Sequence, residues 1–372
     1  MRASAILSLS LPRSAGVGQG GGVLFFFSLI RKLTNAPILS FPRTRGKGRY
    51  VSLIMALLLC CALITPAHAE WFSRTDDGIM GTRIVAELWA DDAEQGNAAI
   101  EAVLAEMRRI DAAMSTYKPS SEVSKVNAEA AQHPVKITQE LFDLLTQAIE
   151  FSRITEGAFD ITYASVGYLY DFRQHQKPNE QQIVAALPGV NYRHLLLDAK
   201  QQTIKFSQPG VRIDLGGIAK GYSVDRCIAL LQARGIKHAL VTAGGDSRII
   251  GDRFGKPWVV GIRHPDDKNK VIAKIPLVDT AISTSGDYER YFDEDGVRYH
   301  HIIDPKTGHS ASKVRSATIL AATATRTDGL SKTAFVLGPE KAMEIYSRLD
   351  DVDAILVAPD GKVLYSKGLA AP

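Results

Sequence analysis

The sequence predicts an α+β body behind an N-terminal leader, and three observations carry that prediction. Helical and strand-like patterns are mixed without strict β-α-β alternation, which favours α+β over a doubly wound parallel sheet. The charge is uneven. Of the 44 Lys and Arg, eight lie in residues 1–69 (Arg2, Arg13, Arg31, Lys32, Arg43, Arg45, Lys47, Arg49), where Asp and Glu are absent. The remaining body has 36 basic against 40 acidic residues, net −4, although the whole chain is +4. A mildly acidic body argues against nucleic acid as the main partner, since phosphate backbones need a basic stripe. Third, 45% hydrophobic and 23% charged residues are ordinary for a globular protein, and a body of about 300 residues can bury a large core.

The leader has the order of a secretory signal peptide: a basic flank (Arg43–Arg49), an apolar run over 51–65, then Pro66-Ala67-His68-Ala69 with small residues placed for cleavage after Ala69. The run is shorter than the ~20 residues of a spanning helix. The alternative is an uncleaved membrane anchor, so the body is expected to be periplasmic or exported, or tethered to the inner membrane. Residues 1–50, with a second apolar patch at Val23–Ile30, are longer than such a signal needs, as an unused upstream start would be. Leu59 before Cys60 is not small, which disfavours lipidation. Beyond the leader only Cys227 remains, so the body needs no internal disulfide.

Along the body, Thr82–Ala90 alternates as a strand, and 91–114 carries apolar residues at helical spacing. Ser115–Ser121 is a loop around Pro119. A helix spans 137–154 with Thr138 as cap, and a short one spans 179–187. A hairpin follows at 194–206. Val211–Leu215 is expected as a strand running into Gly216-Gly217, then a helix over 218–234 closed by Gly235. Strands are expected at 239–243, 247–250, 258–262, 271–277, 298–303 and 317–321. Helices are expected at 328–337 and 340–349, and a hairpin at 354–357 with 363–365.

Four constellations can carry chemistry. In Arg212-Ile-Asp-Leu-Gly-Gly-Ile-Ala-Lys-Gly-Tyr222, two glycines lead straight into a helix start, which suits an anion, and Lys220 stands in the first turn. The plain alternative is a tight turn with a solvated lysine. Thr242-Ala-Gly-Gly-Asp-Ser247 suits close backbone approach, or a simple hairpin turn. In Tyr299-His-His-Ile-Ile-Asp-Pro-Lys-Thr-Gly308, His300 and His301 point to opposite faces of an extended segment. One of them, with Asp304, is a candidate acid–base group, against a buried histidine at a strand edge. In Thr325–Phe335, Asp328 is expected in the first turn of a helix, either as a carboxylate for a hard cation or as a complement to the helix dipole.

Taken in order with Met80-Gly-Thr82, Ser115-Thr-Tyr117 with Pro119, Ser121 and Glu122, Glu156-Gly-Ala-Phe-Asp160, Gly244-Gly-Asp246, Thr284-Ser-Gly-Asp287, His301–Gly308 and Asp328-Gly-Leu-Ser331, these motifs resemble the ApbE family, over about residues 78–340. The family are exported FAD:protein FMN transferases. The resemblance implies an α+β fold in two lobes with the nucleotide site between them. It implies FAD as substrate and an acceptor protein whose Ser or Thr hydroxyl attacks the FMN-side phosphorus. AMP leaves, and the acceptor is a flavin subunit of a membrane electron-transfer complex. Alternatives are a periplasmic FAD pyrophosphatase and a non-catalytic flavin-binding protein.

The resemblance also implies site residues. Met80, Tyr117, Ala158, Phe159 and Asp160 match flavin- or adenine-lining positions, Tyr117 and Phe159 being able to stack on a flat ring. Asp214 and Lys220 match FAD-contacting positions, and Ile302 contacts the ring system. His301 and Lys220 are the catalytic candidates, His301 as proton acceptor or positioner at the transferred phosphate. One or two Mg²⁺ ions are implied, held by the Gly217 carbonyl, Asp328 and Ser331. One position departs from the family. Many members carry Thr four residues after the aligned Asp, where this chain has Lys332. Either Ser331 or Thr333 substitutes for that hydroxyl, or Lys332 replaces part of the cation charge, because an ammonium only donates.

Overall fold

An exposed strand, β1 (Glu70–Asp77), pairs antiparallel with β2 (Arg83–Ala90), from Glu70↔Ala90 to Asp77↔Arg83. In β2 the residues Ile84, Ala86, Leu88 and Ala90 alternate into the core, as its period-two pattern requires. These are the first elements of a computed structural model that describes residues 69–267 and 269–369. Residues 1–68 of the expected leader lie outside them. Among the described residues no helix is long and apolar enough to cross a membrane.

The remaining strands are β3 (Val135–Lys136), β4 (Leu195–Asp198), β5 (Thr203–Phe206), β6 (Ala239–Ala243), β7 (Asp246–Ile250), β8 (Trp258–Arg263), β9 (Val271–Leu277), β10 (Ala281–Gly286), β11 (Tyr291–Glu294), β12 (Val297–His300), β13 (Ser316–Ala321), β14 (Asp353–Val357) and β15 (Val363–Tyr365). The main sheet has the order β1-β2-β6-β7-β10-β13-β14-β15, and every neighbouring pair in it is antiparallel. A three-stranded sheet, β3-β5-β4, and two hairpins, β8-β9 and β11-β12, stand beside it.

The helices are α1 (Ala93–Met114), α2 (Glu122–Glu129), α3 (Gln139–Ile154), α4 (Ala164–Gly167), α5 (Glu180–Ala186), α6 (Ala219–Ala233), α7 (Ala324–Leu330), α8 (Thr333–Leu337) and α9 (Pro339–Tyr346). The expected Thr138 cap is in place, accepting from Leu141 N, and Asn179, not singled out in the sequence, forms a capping box with Gln182. Gly235 closes α6 with φ near +81°.

The main sheet is covered on both faces. Val103, Leu104 and Met107 of α1 meet Val224, Ile228 and Leu231 of α6 over β2 and β6. Trp258, Ile262 and Leu277 of the β8–β9 hairpin cover Ile282, Leu320 and Ile355 on the other side. Accordingly β13 is buried along its whole length, Ser316 and Thr318 included. A second core lies under β3-β5-β4, built from Leu141, Leu144 and Leu145 of α3 with Ile204 and Phe206. The α+β class is as expected. Both sheet systems belong to one compact unit, and Met80 packs against both cores.

The strand expected over 298–303 stops at His300 and the helix expected over 340–349 stops at Tyr346, and two other expected elements differ in kind. Val211–Leu215 is extended but is not a strand. Its ladder partner is replaced by a side chain: Ile213 N donates to Asn127 Oδ1 (2.8 Å), and Asn127 Nδ2 donates to Ile213 O (2.9 Å). The helix expected over 328–337 is two pieces, α7 and α8, and α7 begins at Ala324. Asp328 is therefore the fifth residue of α7 and not in its first turn.

Candidate functional site

Helices α6 and α7 cross at Gly221. A Cβ there would lie 2.2 Å from Ala324 O and 2.8 Å from Asp328 Cβ, so only glycine permits the approach. The crossing brings Asp328, which is fully buried, to the start of α6. Its Oδ2 accepts from Gly221 N (3.1 Å). Ile218, at the N-cap, supplies no side-chain cap, so Asp328 performs that task from another helix. The reverse also holds. Asp225 of α6 accepts from Ala324 N (2.9 Å) and Thr325 N (2.8 Å) at the start of α7, and from Thr325 Oγ1 (2.6 Å).

Lys220 stands in the first turn of α6, where the helix dipole disfavours a cation. Two carboxylates offset this: Asp246 Oδ2 at 2.9 Å and Asp328 Oδ2 at 3.3 Å. Burial alone would lower the Lys220 pKa; the two acids reverse that and hold it above the ordinary lysine range. Asp246 is itself buried at the start of β7. Burial, then the Asp328 charge, push its pKa up against the pull of Lys220 and Lys332. For Asp328, burial opposes ionisation, but Lys220, Lys332 and the Gly221 N–H outweigh it, and its carboxyl sits below the usual range.

Lys332 completes the cluster. Its Nζ donates to Gly217 O (3.2 Å), to Asp328 O (2.8 Å) and to Asp328 Oδ1. The glycine turn and the acidic helix thus converge, as the resemblance implies, and the side chain that joins them is a lysine. Ser331 is buried beside them, but its hydroxyl donates to Asp328 O (2.8 Å) and pairs with Ser285 Oγ (2.8 Å). The Thr333 hydroxyl is buried and has no hydrogen-bond partner.

The other expected residues divide into three groups. Tyr117 is 82% exposed on the loop after α1 and is free to stack on a ring. Met80 lies beside α6, its Sδ accepting from Ser223 Oγ (3.4 Å), in a left-handed conformation (φ 55°) that a non-glycine residue adopts only under constraint. Asp214 holds the turn. It accepts from Gly216 N (2.7 Å), Thr116 Oγ1 (2.7 Å) and Tyr163 OH (3.1 Å).

A second group is turned inward. Phe159, expected as a stacking face, is 4% exposed; it packs edge-on to Phe151, and a Cβ on Gly217 would touch it at 3.3 Å. It supports the glycine turn from behind. Ala158 and Ile302 are buried in the core under β13. Both carboxylate oxygens of Asp160 are engaged within the protein, by Thr162 and by Tyr192 N (2.7 Å), and burial raises its pKa despite these bonds.

The histidines do point apart. His300 packs near Phe335 (ring centroids 6.1 Å). His301 feels the charges of Arg290, Lys332 and Lys220, and its Nδ1 is buried without a partner. Burial, then those charges, hold His301 at a pKa of about 3, so it is neutral. Asp304, expected to pair with it, instead forms a turn, accepting from Lys306 N (2.8 Å).

Sequence reasoning missed two members. Asp246 stood in a weak motif, and only the fold pairs it with Lys220. Arg290, three residues past Asp287, carries no motif; its Nη2 donates to Gly81 O (3.4 Å) and its carbonyl accepts from His301 N (3.1 Å). The arrangement gathers two ammonium groups, a guanidinium and a neutral imidazole around a glycine turn, a set suited to a diphosphate ester.

Comparison with known proteins agrees. A curated FAD:protein FMN transferase of Treponema pallidum is 34% identical, over 74% of this chain and 82% of its own. The ApbE protein of Thermotoga maritima has a crystal structure that superposes with TM-score 0.75 at 35% identity, covering 80% of this chain and 97% of that one. The structure of a flavin transferase ApbE from Vibrio cholerae gives TM-score 0.72 at 30% identity, over 81% and 98%. The ApbE family model matches residues 80–356, and with the fold and cluster described above, the chain belongs to the ApbE family.

Proposed function

We propose that this protein is an FAD:protein FMN transferase. The observation that carries it is the placement of Lys220, held by Asp246 and Asp328 at the glycine turn, with the unpartnered Nδ1 of His301 within reach of the same charges. In the transfer, a Ser or Thr hydroxyl oxygen of the acceptor bonds to the FMN-side phosphorus. The bond from that phosphorus to the bridging oxygen breaks, and AMP leaves with that oxygen. Lys220 and Arg290 offset the diphosphate charge. His301 takes the hydroxyl proton; its neutrality leaves it able to accept, and the incoming phosphates raise its affinity for a proton. Tyr117 stacks on a ring of FAD.

The acceptor is a flavin-carrying subunit of a membrane electron-transfer complex, and the protein works outside the cytoplasm. Those two parts follow from the family resemblance and the leader. The resemblance also brings Mg²⁺ to Gly217 O, Asp328 and Ser331. As they stand, these residues do not fit a divalent ion: the first two already bind the Lys332 ammonium, and the Ser331 hydroxyl is turned to Asp328 O and Ser285.

Incubation with FAD and an acceptor domain, followed by intact-mass measurement of the acceptor and assay of AMP, tests the function. Covalent FMN on the acceptor with matching AMP is expected. Free FMN with an unmodified acceptor would instead make it a pyrophosphatase, and unchanged FAD would make it a flavin-binding protein.

A further inference from the structure

We propose that Lys332 is the resident cation of this site. Its ammonium permanently holds the point between Gly217 and Asp328, so the FAD-free protein keeps no divalent ion there. The function of that charge toward FAD rests on the proposed transferase reading; the occupancy does not.

An ammonium has three N–H donors, and Lys332 Nζ has three acceptors, Gly217 O, Asp328 O and Asp328 Oδ1, from two different elements. The two carbonyls lie at 3.2 and 2.8 Å, the range of N–H···O bonds. Mg²⁺ needs six oxygens at ~2.0–2.1 Å. The neighbouring hydroxyls do not complete such a shell: Ser331 is bonded to Asp328 O and Ser285, and neither it nor Thr333, whose Oγ1 is buried without a partner, bonds to the Lys332 ammonium or to the Asp328 carboxylate.

The cluster holds two acids, Asp246 and Asp328, with side chains 5% and 0% exposed, and two lysines, Lys220 and Lys332. It is balanced as it stands. Adding a divalent ion would leave two uncompensated positive charges in a space that water barely reaches, at a cost of several kcal/mol. Protonating Asp246 would only deepen that excess. Replacing Lys332 by a neutral hydroxyl does the reverse. It leaves a net negative charge and frees three oxygens, the conditions a hard cation requires. The site therefore exchanges a diffusible double charge for a tethered single one.

Titration of FAD-free protein with Mn²⁺, following the free ion by electron paramagnetic resonance, tests this. The native protein should leave Mn²⁺ free. Lys332→Thr should bind about one ion per chain at least ~100-fold more tightly than the native protein does, and Lys332→Thr combined with Asp328→Asn should lose it. The proposal is overturned if the native protein binds one Mn²⁺ per chain and Asp328→Asn abolishes that binding. It is equally overturned if folded Lys332→Thr binds none. Should Lys332→Thr fail to fold, the native protein and Asp328→Asn still decide. AMP release from FAD is assayed separately, so a chain that turns over no FAD refutes the transferase reading while the Mn²⁺ result stands.

Discussion

Asp225 and Asp328 stand on opposite helices of one crossing, and each caps the helix that carries the other. Asp225 of α6 receives Ala324 N and Thr325 N; Asp328 of α7 receives Gly221 N. The exchange fixes the height of one helix against the other. It also delivers the Asp328 carboxylate to Lys220 and Lys332.

Asp225→Ala should destabilise the protein by about 2–3 kcal/mol. It removes the cap of α7 and leaves Arg248, now 2.8 Å from Asp225 Oδ1, without that partner. Chemical denaturation with a slope unchanged from the native protein is the measurement. A loss within experimental error would mean that α7 finds its cap elsewhere.

The crossing itself predicts a contrast between two glycines. Gly221→Ala places a methyl 2.2 Å from Ala324 O and should cost about 3 kcal/mol or more. Gly217→Ala meets Phe159 at 3.3 Å, an aromatic edge that can yield, and should cost under ~1 kcal/mol. Melting temperatures of the two variants, side by side, decide whether the close approach lies where the structure puts it.

Tyr117 predicts a separation of binding from stability. At 82% exposure its removal should leave unfolding unchanged within ~0.5 kcal/mol. Loss of a stacked ring should nevertheless weaken FAD binding by about five- to tenfold. Flavin fluorescence titration of Tyr117→Ala is the check, and unchanged affinity would remove this residue from the flavin site.

Acid stability should reflect the two histidines. Burial lowers His300 to about 4 and His301 to about 3, against 6.5 for the free group. Below pH ~6.5 the unfolded chain takes up protons that the native state refuses, so stability falls with pH until those native values are reached. Each histidine contributes a slope of up to ~1.4 kcal/mol per pH unit. Above pH ~6.5 neither contributes. Urea midpoints at pH 7 and pH 5 should differ less in His300→Leu than in the native protein; equal differences would place His300 in contact with water.

Much of this was legible in sequence because it was local. The alternation of β2, the Thr138 cap and the Gly235 terminator depend on neighbours a few residues away. What stayed hidden was settled at long range. The start of α7 is fixed by a carboxylate 99 residues earlier in the chain, so Asp328 was expected one turn too early in its helix. β10 carries little apolar pattern because after Ala281 and Ile282 its side chains are hydroxyls, Ser283, Thr284 and Ser285, which pair with Thr327, Thr318 and Ser331. β1 is an exposed edge with no period to detect. The β11–β12 hairpin did leave a mark, Asp295-Gly296 with both residues at positive φ, a turn signal that composition alone offers. At the site the motifs named Lys220, Gly217 and Asp328. Packing decided that Phe159 supports the turn, and that Asp246 and Arg290 belong beside them.

The partners of Lys220 lie on β7 and, 108 residues onward, on α7. A growing polypeptide that has made the glycine turn can pair Lys220 with Asp246 as soon as β7 exists, but it lacks Asp328 and Lys332 until α7 has been added. The four-charge cluster is therefore finished only with α7, and a fragment ending before that helix holds one lysine and one acid of it.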